Sequence, residues 1–396
     1  MFKKNNFFKD HFTNSKIYKK NLIKTKKICD FLISDVKKNK IPLLNSYSKD
    51  YKFSFSKKTI KKFSKYKNII IIGMGGSVLG TKSIYSFCKE KIKKKVFFFD
   101  NLDLSLNLEY KNIKNLKNSC FIVVSKSGST LETLTNLSVI FSKNTLNKKL
   151  IIITEIKDST LMRFAVKYKA EIIEHKEFIG GRYSVLSETG MVPAALMGLD
   201  FIKFKNLKKL TKDKNFISSL IQNVASIYTM NIKKINNSIL LNYDSDFNDL
   251  SYWYQQLTAE SLGKSGKGIN PVLSFAPKDH HSLLQLYLSG PRDKFFTFFY
   301  YPKKKNRFKT KTDFFLKKNK SYETIINAQC KATRNIFKLK KIPFRQIILN
   351  KKNEEELGKI FTFFVLETIL LSRLMKVNPF DQPAVEQVKN ETKKFL

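Results

Sequence analysis

The sequence predicts an α/β chain with two doubly wound parallel-sheet domains, each a three-layer α/β/α sandwich, with N-terminal helices and a C-terminal helical arm. Three observations carry this. Short runs rich in Ile, Val and Phe alternate with helical segments, the pattern of strands joined by crossover helices. The alternation occurs twice, over about 68–174 and 239–349. Glycine- and serine-rich turns follow the first and third runs, where a parallel sheet presents its carboxyl edge to ligands. A chain of 396 residues with 42% apolar content can bury a large core and is long enough for two domains.

Residues 1–66 form the N-terminal helical segment, Lys-rich and amphipathic, with Ile23, Ile28, Phe31 and Leu32 at helical spacing as the face expected to pack beside the first domain. The first domain spans 67–205. Its opening strand, 68–72, is a continuous β-branched run suited to burial on both faces. The turn Gly73-Met74-Gly75-Gly76-Ser77 leads from it into a helix over 78–90. Strands follow at 96–100, 120–125, 150–154 and 171–174. A helical region, 187–236, leads into the second domain, 206–350. There 239–243, 272–276 and 295–301 read as strands, and 314–320 and 344–349 border a further helix, 322–338. The remainder, 351–396, is a long helix over 354–376 followed by an arm around 379–389. The most apolar C-terminal stretch, 361–371, is broken by Glu367 and too short to span a membrane.

The most chemically loaded stretch is Ser125-Lys126-Ser127-Gly128-Ser129-Thr130-Leu131-Glu132-Thr133, between the strand ending near Val124 and a helix over 130–143. A new helix presents unpaired N–H groups and a partial positive charge, and a crowd of hydroxyls adds donors, so the turn suits a phosphate monoester. Helix capping alone needs one Ser or Thr, which leaves several unexplained. The run lacks the Gly-Lys-Ser/Thr ending of a nucleotide-binding P-loop and the spaced glycines of a dinucleotide fingerprint. The phosphate ligands expected are Ser125, Ser127, Thr130 and Thr133, with Lys126 nearby.

This run resembles the sugar-phosphate-binding motif of the sugar isomerase (SIS) fold, and specifically that of the glucose-6-phosphate isomerase family. Five further stretches resemble that family in the same order. They are Gly73-Met74-Gly75-Gly76-Ser77, Gly180-Gly181-Arg182-Tyr183-Ser184, Gln256-Leu257-Thr258-Ala259-Glu260-Ser261-Leu262-Gly263-Lys264, His281-Ser282-Leu283-Leu284-Gln285 and Asp381-Gln382-Pro383-Ala384-Val385-Glu386. The resemblance covers about 68–390, and both domains are then SIS-type. It implies reversible aldose–ketose isomerisation of glucose 6-phosphate and fructose 6-phosphate through a cis-enediolate, in glycolysis and gluconeogenesis, without metal or other cofactor. It also implies a homodimer with composite active sites.

The chemistry divides into roles. Glu260 is the candidate base that takes the C2 proton and returns it to C1. Gln256, four residues earlier on the same helical face, is placed to orient a sugar hydroxyl. Arg182 is the candidate enediolate stabiliser, since a fixed cation acts most strongly where water is excluded, and Gly181 permits close backbone approach. His281 is the candidate ring-opening acid/base. Its neighbour His280 stands where the family usually has Gln, and Ser282-Leu283-Leu284-Gln285 aligns His281 with the family's histidine. Lys389 matches the lysine of the family's C-terminal motif, with Ala384 and Val388 standing where the bacterial form has glycine. Gly76, Ser77 and Gln382 are sugar contacts by resemblance.

The net charge of +43 ordinarily invites a nucleic-acid or membrane-surface reading. Against it, only seven of 75 basic residues are Arg and the Lys are strewn along the whole chain, so no specific nucleic acid or membrane partner is expected. Cys29, Cys88, Cys120 and Cys330 lack metal or redox spacing and indicate reduced thiols in a cytoplasm. The rival enzymatic reading is a bifunctional phosphoglucose/phosphomannose isomerase. The rival from another class is a non-catalytic SIS-type sugar-phosphate-binding protein, which needs the serine turn but not Glu260, His281 and Arg182 together.

Overall fold

The computed structural model describes residues 7–8, 11–12, 15–105, 110, 113, 116–141, 149–302, 309–311, 314, 320–349, 351–392 and 394–396. The segment 314–320, expected to border a helix, falls almost wholly outside these residues, as do the last two residues of the helix expected over 130–143. The chain forms two compact units: Asp35–Lys209 with Asn353–Val365, and Met1–Ser34 with Leu210–Lys352 and Leu366–Leu396.

The first of these holds a five-stranded sheet of β1 (Asn68–Gly73), β2 (Lys95–Phe99), β3 (Ser119–Val124), β4 (Leu150–Thr154) and β5 (Glu171–Glu174), in the order β2-β1-β3-β4-β5 and parallel throughout. All residues of β1, β3 and β4 are buried, which is why these strands read as unbroken apolar runs rather than alternating ones. On one face Ile70, Ile72, Phe121, Val123 and Ile152 pack with Leu137 and Ile140 of helix Leu131–Phe141 and Leu161 and Ala165 of helix Thr160–Lys167. Each large apolar side chain among them contributes roughly 1.5–3 kcal/mol on burial. The order reverses at β1/β3, where the carboxyl edge of a doubly wound sheet opens to ligands.

The second unit holds β6 (Asn237–Asn242), β7 (Asn270–Phe275), β8 (Lys294–Tyr300) and β9 (Phe344–Ile348), parallel and ordered β7-β6-β8-β9. Tyr243, Phe296, Phe298, Phe337 and Phe344 dominate one face, with helix Tyr322–Leu339 supplying Cys330 and Phe337. Arg345 makes a buried ion pair with Glu367, and Thr297 and Asn223 accept from the same guanidinium. No helix among the described residues is long and apolar enough to cross a membrane.

The N-terminal helix Lys16–Lys37 departs from the expected packing. Its buried positions are Tyr18, Asn21, Thr25, Cys29 and Leu32, whereas Ile23 and Phe31 are 73% and 58% exposed. Asn21 Nδ2 donates to Thr229 Oγ1 at 2.9 Å on helix Lys214–Ile232. This bond, together with the Phe12–Tyr18 stack, draws in a polar-centred face and leaves Ile23 and Phe31 outside. The helix thus groups with the second sheet up to Ser34, and the chain from Asp35 onward groups with the first.

Candidate active site

In the five-stranded unit two turns leave adjacent strands at one edge, since Gly73 at the end of β1 pairs in register with Val124 at the end of β3. After β3 the chain turns through Gly128, whose φ of +68° falls where glycine is at ease. A Cβ there would also lie 2.2 Å from Ser159 Oγ, so the turn presses on the N-cap of helix Thr160–Lys167. Leu161 N–H donates to Gly128 O at 3.0 Å and Glu155 N–H to Lys126 O at 3.2 Å, fixing the turn from its far side.

The hydroxyls of this turn are organised. Ser125 Oγ lies 2.9 Å from Thr130 Oγ1, and Ser127 Oγ accepts from Ser129 N–H and Ser129 Oγ. Ser125 and Thr133 are 1% exposed, whereas Ser127 faces solvent. Thr133 Oγ1 has no hydrogen-bond partner among the described residues. A buried hydroxyl without an acceptor is costly, and a bound ligand oxygen would relieve that cost. Lys126 is placed differently: its ammonium donates to Glu177 O at 2.7 Å and pairs with Glu155 at 3.6 Å, so it braces the turn.

The turn after β1 meets the second glycine motif. A Cβ on Gly76 would lie 2.2 Å from Gly181 C and 2.6 Å from Arg182 N, so only glycine admits this approach. Ser184 Oγ bridges the two segments by donating towards Gly181 O at 2.8 Å and Gly76 O at 3.3 Å. Arg182 is 2% exposed, with its guanidinium 5.2 Å from the Tyr183 ring centre. The structure therefore packs the turn of Gly76 and Ser77, at the end of β1, against the 3-10 segment Gly181–Leu186 that carries Arg182, with the serine turn leaving the adjacent strand.

The backbone carrying Arg182 is anchored by residues that sequence reasoning did not single out. Tyr47 Oη donates to Tyr183 O at 2.9 Å, and Lys205 Nζ donates to Leu186 O at 2.7 Å and to Ser46 O. Lys205 is fully buried against Tyr51 and Phe53, 4.6 and 4.2 Å from their ring centres, while buried Glu188 accepts from Tyr51 Oη and Ser54 N–H. Burial pushes the Lys205 ammonium down to about 7, with Glu188 and Asp50 opposing that shift. Above pH 7 the unfolded chain then holds a proton that the folded chain has released, so stability should rise between about pH 7 and 10.5. Each pH unit in that window is worth at most about 1.4 kcal/mol from this one group. Denaturant titrations at pH 7 to 9.5 should show wild type gaining more with pH than Lys205→Met; parallel gains would mean that the aromatic cage keeps Lys205 charged.

In the other unit Glu260 lies in the last turn of helix Asn248–Leu262, half-buried, accepting from Gln256 Nε2 at 2.8 Å. The i,i+4 spacing thus puts acid and amide in contact, as expected. Gln256 Oε1 is buried without a partner among the described residues, leaving an acceptor for a hydroxyl donor. His280 and His281 follow β7 in a short 3-10 turn. His280 Nε2 lies 2.7 Å from Tyr243 Oη, which donates to Thr333, and burial lowers its pKa, with the adjacent His281 adding to the effect. His281 is exposed. One imidazole is thus bonded within its unit and the other is open to solvent.

The arm continues as helix Pro383–Thr392, which runs through Ala384 and Val388 with no buried residue. Lys389 on it pairs with Glu386 at 2.6 Å, both exposed, while Gln382 precedes the helix. Within this unit Glu260 and Gln256 are in contact, while His281 and Lys389 are exposed.

Comparison with known proteins places the chain. Residues 38–275 match the phosphoglucose isomerase family model. The chain is similar to the glucose-6-phosphate isomerase of Methanocaldococcus jannaschii, at 31% identity over 92% of this chain and 95% of that protein. It is also similar to that of Campylobacter jejuni, at 29% identity over 83% and 85%. Among solved structures, a hypothetical protein from Thermus thermophilus superposes with a TM-score of 0.80 at 21% identity, covering 98% of both chains. A glucose-6-phosphate isomerase from Chlamydia trachomatis gives 0.74 at 18% identity, covering 85% of this chain and 71% of that one. These last two share the fold, and the sequence matches settle kinship: the chain belongs to the phosphoglucose isomerase family.

Proposed function

We propose that this chain interconverts glucose 6-phosphate and fructose 6-phosphate by proton transfer between C1 and C2, with no metal or cofactor taking part. The observation that carries the proposal is an organised serine turn after β3 beside a glycine turn after β1 that packs on the segment of the buried Arg182, since phosphate anchorage and enediolate stabilisation are what this reaction needs from one edge of a sheet. In this reading Ser125, Ser127, Thr130 and Thr133 hold the phosphate. His281 and Lys389 assist ring opening, and Gln256, Gln382, Gly76, Ser77 and Gly181 contact the sugar. Glu260 removes the C2 proton, leaving a 1,2-enediolate whose charge Arg182 stabilises. The hydroxyl proton passes from O2 to O1, and Glu260 returns its proton to C1, so the atoms balance without an oxidant. The working unit is a homodimer, and the four cysteines, buried as free thiols, fit a cytoplasmic setting in glycolysis and gluconeogenesis.

The direct test is fructose 6-phosphate formation from glucose 6-phosphate by purified protein treated with a chelator; loss of turnover under those conditions sinks the metal-free reading. The phosphate turn has its own test. Ser127→Ala with Thr130→Ala should weaken 6-phosphorylated sugars by about 1–3 kcal/mol, because each lost hydroxyl leaves a charged acceptor short of a donor. Calorimetry with an unphosphorylated sugar should register little change. Equal losses for both ligands would locate the damage in the fold.

A further inference from the structure

Helix Asn248–Leu262 ends at Gly263, and the chain then makes a tight hairpin, Lys264-Ser265-Gly266-Lys267. Ser265 and Gly266 have φ of 51° and 70°, the paired left-handed conformation that lets a two-residue loop follow strand twist. Lys264 and Lys267 exchange both backbone hydrogen bonds, at 3.1 and 2.9 Å, so they stand directly opposite one another with side chains on one side of the hairpin. Two like charges so placed repel unless each has acceptors of its own. Both do. Lys267 Nζ donates to Met375 O at 2.9 Å, at the end of helix Glu354–Met375. Lys264 Nζ donates to Asp381 O at 2.6 Å, to Asp381 Oδ1 at 2.7 Å and to Asn378 O. Asp381 Oδ2 accepts from Asn378 Nδ2 at 2.9 Å and Asn378 Oδ1 from Phe380 N–H at 3.0 Å, so residues 378–381 fold into a compact loop around one ammonium. The Lys264 side chain is 13% exposed and that of Asp381 51%, so solvent screens the carboxylate side of the pair, and the two backbone carbonyl acceptors carry much of the hold on the ammonium.

We infer that Lys264 is a positioning residue: its ammonium ties the root of the C-terminal arm, through Asp381 and Asn378, to the turn that ends the Glu260 helix, and so sets where Gln382 and Lys389 are presented. Lys264 lies four residues after Glu260, and Asp381 immediately precedes Gln382. Three hydrogen bonds from one ammonium thus oppose drift of the arm root relative to the end of the candidate base's helix. The inference rests on the isomerase reading for what Gln382 and Lys389 do, and on geometry alone for the clasp.

The experiment uses the full chain with Lys264→Met, Asp381→Asn, their double variant and Lys264→Arg. Amide hydrogen exchange over 376–383 reads the clasp, and kcat and KM for glucose 6-phosphate read its consequence. Exchange should quicken about tenfold or more in Lys264→Met and in Asp381→Asn, and kcat/KM should fall by roughly 10–100-fold with an unchanged melting temperature. The double variant should lose no more than the worse single one, because both remove the same contact. Lys264→Arg should recover most of both readouts. Unchanged exchange in folded variants, additive losses, or quickened exchange with unaltered kcat/KM would each overturn the inference. If Lys264→Met does not fold, Asp381→Asn, altered at a half-exposed acid, decides it. A wild-type chain without turnover sinks the isomerase reading, whereas the exchange arm still reports on the clasp.

Discussion

Glu260→Gln is expected to fold, to bind substrate and to turn over about 10²–10⁴-fold more slowly than wild type. The side chain it replaces lies in the last turn of helix Asn248–Leu262, where Gln has as good a helix propensity as Glu. The amide oxygen of the new Gln can still accept from Gln256 Nε2, so the contact within the pair survives the change. What is lost is the capacity to accept a carbon-bound proton. The loss should therefore fall on kcat, with KM within a fewfold of wild type and an unaltered denaturation curve. Retention of the C2 label in recovered substrate would mark the missing proton abstraction. A variant within about threefold of wild-type turnover would remove Glu260 from the mechanism, because a general base contributes far more than that.

What could be read from the sequence was what local chemistry decides. The run Asn68–Gly73 is buried at every position, and its β-branched composition announced a strand covered on both faces. The serine turn stood out because its hydroxyl density exceeds what a helix cap uses, whereas Gly76 was singled out only by its resemblance to the family's motif. The Gln256–Glu260 contact followed from helical spacing. What stayed hidden depends on partners far along the chain. The buried face of Lys16–Lys37 follows a hydrogen bond from Asn21 to Thr229, 208 residues away, against the apolar periodicity of Ile23 and Phe31. Lys205 is one lysine among several in Phe204-Lys205-Asn206-Leu207-Lys208-Lys209, and only folding shows that it is the one sealed beneath Tyr51 and Phe53. Lys264 and Asp381 both belong to motifs recognisable in the sequence, yet their bond across 117 residues is a tertiary fact. In a chain so rich in lysine, composition conceals the few that are structural.

The largest effect expected from assembly is recovery of activity by mixing two inactive proteins. Within its chain His281 is exposed, while His280 is held by Tyr243 in the same unit, an arrangement that leaves one imidazole to be offered outward. The family resemblance implies a homodimer whose sites each take a histidine from the neighbouring subunit, and an isologous pair then has two equivalent composite sites. Under this hypothesis Glu260→Gln and His281→Ala homodimers are each nearly inactive, since every site lacks one group. In a hybrid dimer one site collects both defects and the other collects neither. Random re-association of equal amounts makes about half the dimers hybrid, each with one working site of two, so the mixture should reach about a quarter of wild-type activity. Subunit exchange is confirmed by mass spectrometry of tagged chains before the assay. A mixture that stays as inactive as its parents after confirmed exchange shows that His281 serves the site of its own chain, and a monomeric protein at assay concentration removes the shared-site model altogether.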